Sequence, residues 1–437
     1  PPSARSCISF RAHAIPLPRS SMLFQGAMMW LNKPHSSQPS PALATSLSTS
    51  KLPGAVVLGG DYQGLGIVRS LGRIGVPVIV LDDERSISRF SRYATLSLRV
   101  PDLRNASSTV ETLLDLARCY RLQGWLVLPT RDEQVAALSR FRADLSPTYR
   151  VPLSGWEKIE CAWDKRKTYE LAAKCAVPIP RTWRVSSFRG LDDLDLPFPI
   201  VLKPAIKENF FYRTRAKAWP IQNRISLRDF FRRACCFLPP EEILLQEYVP
   251  GDGRHQFSYC AFFKDGHALG TMVARRRRQH PHDFGRASTF VETIDLPAVE
   301  TLAERLLNSI DYYGLVEVEF KLDPRDGQLK LLDVNARTWG YHALGPTAGV
   351  DFCRLLYLDQ VGLPVKSCRT RPGVSWVRLL TDLPTGFLDI LAGRLRSRDY
   401  FHSLRGFQIE AVLNLEDPLP ALAEVALLPY LTFKRGF

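Results

Sequence analysis

The residues with the clearest chemical potential lie late in the chain. They are Val316-Glu317-Val318-Glu319-Phe320-Lys321, a turn at Pro324-Arg325-Asp326-Gly327, and Leu331-Leu332-Asp333-Val334-Asn335-Ala336-Arg337. Two alternating runs joined through Asp-Gly read as a β-hairpin. Side chains alternate between faces along a strand, so Glu317 and Glu319 share a face, as do Asp333, Asn335 and Arg337. A register that brings those faces together gathers acids, an amide and a guanidinium on one patch. Oxygen ligands of this kind suit Mg²⁺, which takes one or two carboxylates and completes its shell with phosphate oxygens and water. A neighbouring arginine then steadies a phosphoryl group in transfer. The same spacing also fits a solvated hairpin face with ordinary cross-strand ion pairs.

Two other segments invite chemistry. The run Arg275-Arg276-Arg277-Arg278-Gln279-His280-Pro281-His282 follows a strand and leads to Gly285. Arginines on a regular strand alternate faces and cannot form one nucleic-acid stripe. The segment suits a loop over an active site, where Arg277 or Arg278 would hold a substrate carboxylate or acyl phosphate; a solvated basic loop is the plain alternative. His280 and His282 with Asp283 lack further histidines to complete a metal site. The turn Gly59-Gly60-Asp61-Tyr62-Gln63-Gly64-Leu65-Gly66 raises dinucleotide binding, with Asp82 near the ribose-acid position. Counting from Gly64-Leu65-Gly66, however, the third glycine position holds Arg69, so the fingerprint fails. Its glycines better serve a tight strand-to-helix turn, which sets a helix N-terminus where a carboxylate could bind.

These residues need elements to position them. Ala55–Leu58, the glycine turn, a helix through Leu65–Leu71 and the strand Val76–Leu81 form a βαβ unit with a parallel sheet. A helix at about 109–120 and the strand Trp125–Leu128 continue the alternation, so residues 52–150 read as one α/β domain. Beyond 151 the texture is α+β: a helical stretch containing Asp164-Lys165, a Pro178-Ile179-Pro180 turn, the strand Phe198–Lys203, a long basic and aromatic loop, and the strand Ile243–Val249 stopped by Pro250-Gly251. Further strands follow near 256–263, 267–274, 315–322 and 328–334.

Taken in order, Asp164-Lys165, Leu202-Lys203-Pro204, Gln246-Glu247-Tyr248-Val249-Pro250-Gly251, Glu319 and Asp333-Val334-Asn335-Ala336-Arg337 resemble the ATP-grasp superfamily, in particular its carboxylate–amine ligases of the D-aspartate ligase-like group. The resemblance covers roughly residues 52–365. It implies a Rossmann-like domain followed by a two-lobed ATP-grasp fold over 151–365, with the small lobe at about 185–245 and residues 366–437 as an extension packed on that domain. It further implies that Lys165 and Lys203 contact the α- and β-phosphates, that Gln246, Glu247, Tyr248 and Val249 form the adenine hinge with backbone groups of Glu247 and Val249 on the purine edge, and that Asp252 reaches the ribose. Glu319, Asp333 and Asn335 would hold Mg²⁺ or Mn²⁺, Arg337 would stabilise the transferred phosphoryl group, and Glu317 is a second-tier ligand. Relatives carry a glycine-rich loop over the phosphates; residues 205–219 contain no glycine, which leaves Lys207, Arg213, Arg215 or Lys217 to close over ATP.

The implied activity is ATP-dependent amide formation through an acyl phosphate, releasing ADP and phosphate, from small-molecule carboxylate and amine substrates. The alternatives are an NAD(P)-dependent oxidoreductase using the first domain and a non-catalytic nucleotide-binding module.

Composition sets the outer bounds. The chain has 437 residues, 45% hydrophobic and 23% charged, which suits folded domains rather than wholesale disorder. No apolar run is long enough to span a membrane. The net charge is +14, and five of the excess cations (Arg5, Arg11, Arg19, Lys33, Lys51) fall in residues 1–51, which hold no acid. That segment reads as a disordered or mis-started tail, or as a transit peptide. The remaining basicity suits anionic substrates such as nucleotides as well as nucleic acid, and charge alone does not choose between them; on the ligase reading nucleic acid is not expected as a partner. Nine cysteines without a CxxC pair support neither a disulfide framework nor a zinc site, so the expected compartment is the cytoplasm, and a homodimer is an expectation.

Overall fold

A computed structural model describes residues 52–435 apart from Ser186, Asp283 and Arg286; the tail expected over 1–51 and the third member of the His280–His282–Asp283 group lie outside the described residues. Two compact units are present. The first comprises residues 52–128, 141–151 and 412–435, and the second residues 129–140 and 152–411.

In the first unit, β1 (Ala55–Leu58), β2 (Val78–Asp82), β3 (Leu96–Arg99) and β4 (Leu126–Pro129) make a four-stranded sheet in the order β3-β2-β1-β4. β1 and β3 both pair in parallel with β2. β1 and β2 are buried throughout, as expected of continuous apolar runs covered on both faces. Helix α1 (Tyr62–Arg73) starts at Asp61, whose carboxylate caps the N–H groups of Gln63 and Gly64. The glycines here are steric requirements. Gly59 has φ +91°, and a Cβ on Gly64 would sit 2.0 Å from the Gly59 carbonyl oxygen. Asp82 accepts the Gly60 N–H at 2.6 Å and the Glu84 N–H at 3.0 Å, so it braces its own turn. Helix α2 (Ala106–Tyr120) packs Leu113 and Leu116 inward. Residues 412–435 join this unit through buried Asp417, which binds Arg69 Nε at 3.0 Å, Ser91 Oγ at 2.7 Å and the Arg92 N–H at 2.9 Å.

The second unit opens with α3 (Asp132–Arg140), α4 (Trp156–Trp163) and α5 (Lys165–Lys174). The expected single helical stretch around Asp164-Lys165 is interrupted there. Asp164 is extended, ends α4 and caps α5 by accepting the Arg166 N–H, which sets Lys165 in the first turn of α5.

A small antiparallel sheet follows, ordered β5 (Thr182–Arg184), β8 (Ile243–Glu247), β6 (Ile200–Pro204), β7 (Trp219–Ile221). Helices α6 (Lys207–Thr214) and α7 (Arg224–Cys235) cover it, burying Phe210, Leu227 and Phe231 against Leu202, Ile221 and Leu245. The basic, aromatic segment after Lys203, read from sequence as a loop, is therefore helical over Lys207–Thr214. Without glycine, and with Phe210 available for the core, burial of an aromatic face decides its conformation.

The large sheet runs β13 (Leu329–Asn335), β12 (Gly314–Leu322), β9 (Gln256–Lys264), β10 (His267–His280), β11 (Ala287–Ile294), β15 (Ser375–Val377), β16 (Ile409–Glu410), with β14 (Cys368–Arg369) beside β10. Helices α8 (Pro297–Asn308), α9 (Phe352–Gln360), α10 (Leu379–Leu391) and α11 (Ser397–Leu404) belong to the same unit. The arginine run is not the loop expected: Arg275–His280 complete β10, with irregularities in its pairing to β11 between Arg276 and Arg278 and between Arg278 and Gln279. Those bulges break the strict alternation and send the four side chains to different partners.

Candidate active site

The β12–β13 hairpin has the register that makes a site. Glu317 pairs with Asn335 and Glu319 with Asp333, so the acids and the amide meet across the strands. The Asn335 amide nitrogen donates to Glu317 Oε2 and to Glu319 Oε1, both at 3.0 Å. Tyr341 donates its hydroxyl proton to Glu317 Oε1 at 2.6 Å. On the far side of Glu319, Arg276 of β10 donates at 2.6 Å to Oε2 while its other terminal nitrogen holds Gln256 at 2.9 Å.

Two like charges beside each other in a buried setting cannot both ionise freely. Burial and the neighbouring Glu319 raise the Glu317 carboxyl above its ordinary range. Burial alone would raise Glu319 as well, but Arg276, Lys217 and the Asn335 amide outweigh it and hold that carboxyl low.

The cations expected to meet phosphate surround this patch. Lys165 Nζ lies 2.7 Å from Asp333 Oδ1, and although burial lowers its pKa, Asp333 and Tyr169 raise it overall. Lys203 donates to the Tyr169 hydroxyl, and Tyr169 itself donates to the Leu332 carbonyl at 3.0 Å, linking the small sheet to the hairpin. Arg337 is fixed rather than free: Asp132 at the start of α3 accepts from its Nε at 2.5 Å and from a terminal nitrogen at 3.0 Å, and Asn335 Oδ1 lies 3.3 Å away. Lys207 shares Asp132. Asp132 is held far below the carboxylate range by Arg337 and Lys207 against the opposing effect of burial. Burial lowers the pKa of Lys217, whose largest electrostatic partner is Glu319. Asp132, Lys165, Lys207, Glu208, Asp333 and Asn335 line one open recess.

The segment expected to form the hinge lies on β8 and just beyond it, with some groups already committed. Gln246 donates to Thr182 Oγ1 at 2.8 Å. The Glu247 carboxylate binds Lys330 at 2.9 Å and Arg325 at 3.2 Å. Its backbone N–H donates to the Arg181 carbonyl, which removes that group from the expected purine edge. The Val249 carbonyl accepts from Lys321 at 2.8 Å, and the Lys321 ammonium also lies 5.7 Å from the centre of the Tyr248 ring. Asp252, expected at the ribose, caps the short turn Gly253–His255 and binds Arg254 and His255.

Arg278 stands apart from the acids. It forms a two-pronged bond to buried Asp382 at 2.7 and 2.9 Å, donates to Ser403, and lies over the Phe290 and Tyr400 rings. Arg277 binds Glu292, as does Arg275. The arginine of this run that meets the hairpin acids is Arg276. Asp132, Arg276 and Glu208 were not singled out from sequence. For Arg276 the available signal was that strand geometry must send some of four adjacent arginines inward, where each needs an acid. Asp132 carries no comparable signal, because its partner Arg337 is 205 residues away.

Three comparisons bear on this architecture. No family model matches the chain. D-aspartate ligase from Enterococcus faecium is 22% identical over 322 residues, 70% of this chain and 76% of that protein. Among solved structures, L-amino acid ligase from Bacillus licheniformis superposes with TM-score 0.57 at 15% identity, covering 75% of this chain and 79% of its own. N5-carboxyaminoimidazole synthetase from Staphylococcus aureus gives 0.58 at 14% identity, with coverage of 75% and 82%. The fold is the ATP-grasp fold. The recess is walled by α3, α4, the start of α5, the start of α6 and the end of β13. The nicotinamide alternative loses ground to these relatives, and Asp82 serves its own glycine turn.

Proposed function

We propose that this chain is an ATP-dependent carboxylate–amine ligase: a carboxylate attacks the γ-phosphate of ATP, ADP leaves, and an amine displaces phosphate from the acyl phosphate to form an amide. The observation that carries the reading is the buried Glu317–Asn335–Glu319 cluster, with Asp333 beside it, Glu319 matched to Arg276 and Asp333 to Lys165.

The donor set fits the implied metal. Among the described residues no group of three or more His, Cys, Asp or Glu stands ready as a self-sufficient metal cage. Mg²⁺ takes one or two carboxylates and completes its shell with phosphate oxygens and waters, and the cross-strand pair Glu319 and Asp333 offers carboxylates of that kind. Glu319, Asp333 and Asn335 are the oxygen ligands available to Mg²⁺ or Mn²⁺, with Glu317 behind them. When bound, the metal supplies neutralisation of phosphate charge.

The chain's own groups do the rest. Lys165 and Lys203 are point charges for the phosphate chain, each seated by a hydroxyl or carboxylate of the unit. Arg337 is held in one orientation by Asp132 and Asn335, so its guanidinium faces developing phosphoryl charge without paying to reorganise. Arg276 keeps Glu319 ionised. Gln246, Tyr248 and Val249 flank the purine, and Glu247 contributes through its remaining backbone group. In the same proposal Arg278 orients the substrate side through the β10 scaffold rather than by contact, and Asp252 shapes the hinge turn.

Cytoplasmic location and assembly as a homodimer belong to this proposal. Cys161, Cys175, Cys235, Cys236, Cys260, Cys353 and Cys368 are free thiols, and one structural neighbour, a biotin carboxylase domain, is a dimer. Sedimentation velocity tests the second point. No helix among the described residues is long and apolar enough to cross a membrane.

The test is ADP release from Mg·ATP across a library of carboxylates paired with amines. Asp333→Asn and Lys203→Ala should each reduce turnover about 100-fold or more. Turnover that survives both changes unaltered removes the proposed site.

A further inference from the structure

Helix α10 is built inside out. A helix on a folded protein normally turns its apolar stripe inward. Here the buried positions are Thr381, Asp382, Thr385, Gly386 and Asp389, whereas Leu383, Phe387, Leu388 and Leu391 are 48–68% exposed. Phe401 of α11 adds another ring, 60% exposed.

The orientation is fixed by specific polar bonds. Asp382 receives the two-pronged Arg278 contact and the Tyr400 hydroxyl at 3.2 Å. Thr385 Oγ1 lies 3.1 Å from His280 Nδ1. Asp389 binds Arg394 at 2.7 Å. A Cβ on Gly386 would strike the Tyr400 ring at 2.2 Å, so the polar face is also packed too closely to exchange with the apolar one. Rotating the helix would bury leucines but strand Arg278 and Asp382 without each other, a loss larger than the gain.

Arginines dominate the exposed charge that follows the ridge in the chain. Arg394, Arg396, Arg398 and Arg405 are exposed in and around α11, and Asp399 is the exposed acid among them. Arg394 is paired with Asp389, while Arg396, Arg398 and Arg405 make no side-chain bond among the described residues. Leucines and phenylalanines flanked by arginines are the composition of a helix that lies in a lipid interface, with apolar side chains entering the acyl boundary and cations at the headgroups. A second copy is a poorer occupant, because a two-fold contact through this face would set the same arginines of both subunits against each other.

We propose that α10 and the start of α11 form a peripheral docking face for an anionic lipid surface, so that the enzyme works on the membrane without spanning it. The proposal does not depend on which reaction the recess performs.

The test is flotation of the full-length protein with phosphatidylcholine vesicles, with and without phosphatidylglycerol. The expected result is co-flotation with the anionic vesicles that weakens as salt rises. Leu388→Glu/Leu391→Glu should abolish it. Arg396→Glu/Arg398→Glu should weaken it about twentyfold or more, since each cation near an anionic surface contributes roughly fivefold. Both variants should retain the wild-type thermal unfolding transition without vesicles, which reports an intact fold. Should either variant fail to fold, Arg396→Gln/Arg398→Gln read on the same vesicles replaces it. Absence of flotation with anionic vesicles at low salt overturns the proposal. So does flotation undiminished by the ridge substitutions, or self-association in solution that those substitutions abolish.

Discussion

At the scale of single residues, the site depends on which buried charge answers which. Arg276 and Glu319 are both nearly inaccessible and bonded at 2.6 Å. Removing one partner of such a pair leaves the other charge buried and unmatched. Arg276→Met should therefore cost about 3 kcal/mol in chemical denaturation, whereas Arg276→Met/Glu319→Gln should recover most of that loss. Equal losses in the single and double variants would show that the pair is not coupled.

Glu208 offers a pH test of the same neighbourhood. Burial, reinforced by Asp132 and Glu133 and only partly offset by Lys207, pushes its carboxyl up to about 7. An acid whose folded pKa exceeds its unfolded value of about 4.3 binds more protons folded than unfolded between the two. Stability then falls as pH rises across that interval. Wild-type protein should lose stability between about pH 4 and 7 relative to Glu208→Gln, measured by denaturation at each pH; parallel profiles would contradict the assignment.

At the scale of elements, the hairpin was legible and the arginine strand was not. Period-two alternation around Asp326-Gly327 is enough to fix which faces Glu317, Glu319, Asp333 and Asn335 share, and the observed register agrees. Alternation fails for Arg275–Arg278 because bulges in β10 shift the parity, and nothing local announces a bulge. The segment after Lys203 was misread for a different reason. An expected glycine loop weighed more than the helix-compatible, aromatic composition of Lys207–Thr214. The cap at Asp164 belongs to this scale as well, since it fixes where Lys165 enters α5. Asp164→Ala should cost about 1 kcal/mol of stability. It should also raise the KM for ATP more than it lowers kcat, because the lysine's position changes while the hairpin does not. A kcat effect without a KM effect would place Lys165 elsewhere in the reaction.

For the whole molecule, the order of motifs along the chain carried the fold, and long-range pairing carried what the order could not. Lys165 meets Asp333 across 168 residues, and Arg337 meets Asp132 across 205. Both contacts lie within the second unit, and the second ties α3, the first helix of that unit, to the end of the hairpin. The inverted face of α10 was equally hidden, because its apolar residues look like an ordinary core helix until Asp382 and Thr385 are seen to be the buried side.

The central claim is that the hairpin acids and the two lysines serve one metal-bound nucleotide, and calorimetric titration with ATP in the presence and absence of Mg²⁺ tests it most directly. The account predicts one nucleotide per chain, binding that requires the metal, and affinity lowered about tenfold or more, roughly 1.4 kcal/mol, in both Asp333→Asn and Lys203→Ala. Metal-independent binding, or unchanged affinity in both variants, would contradict it.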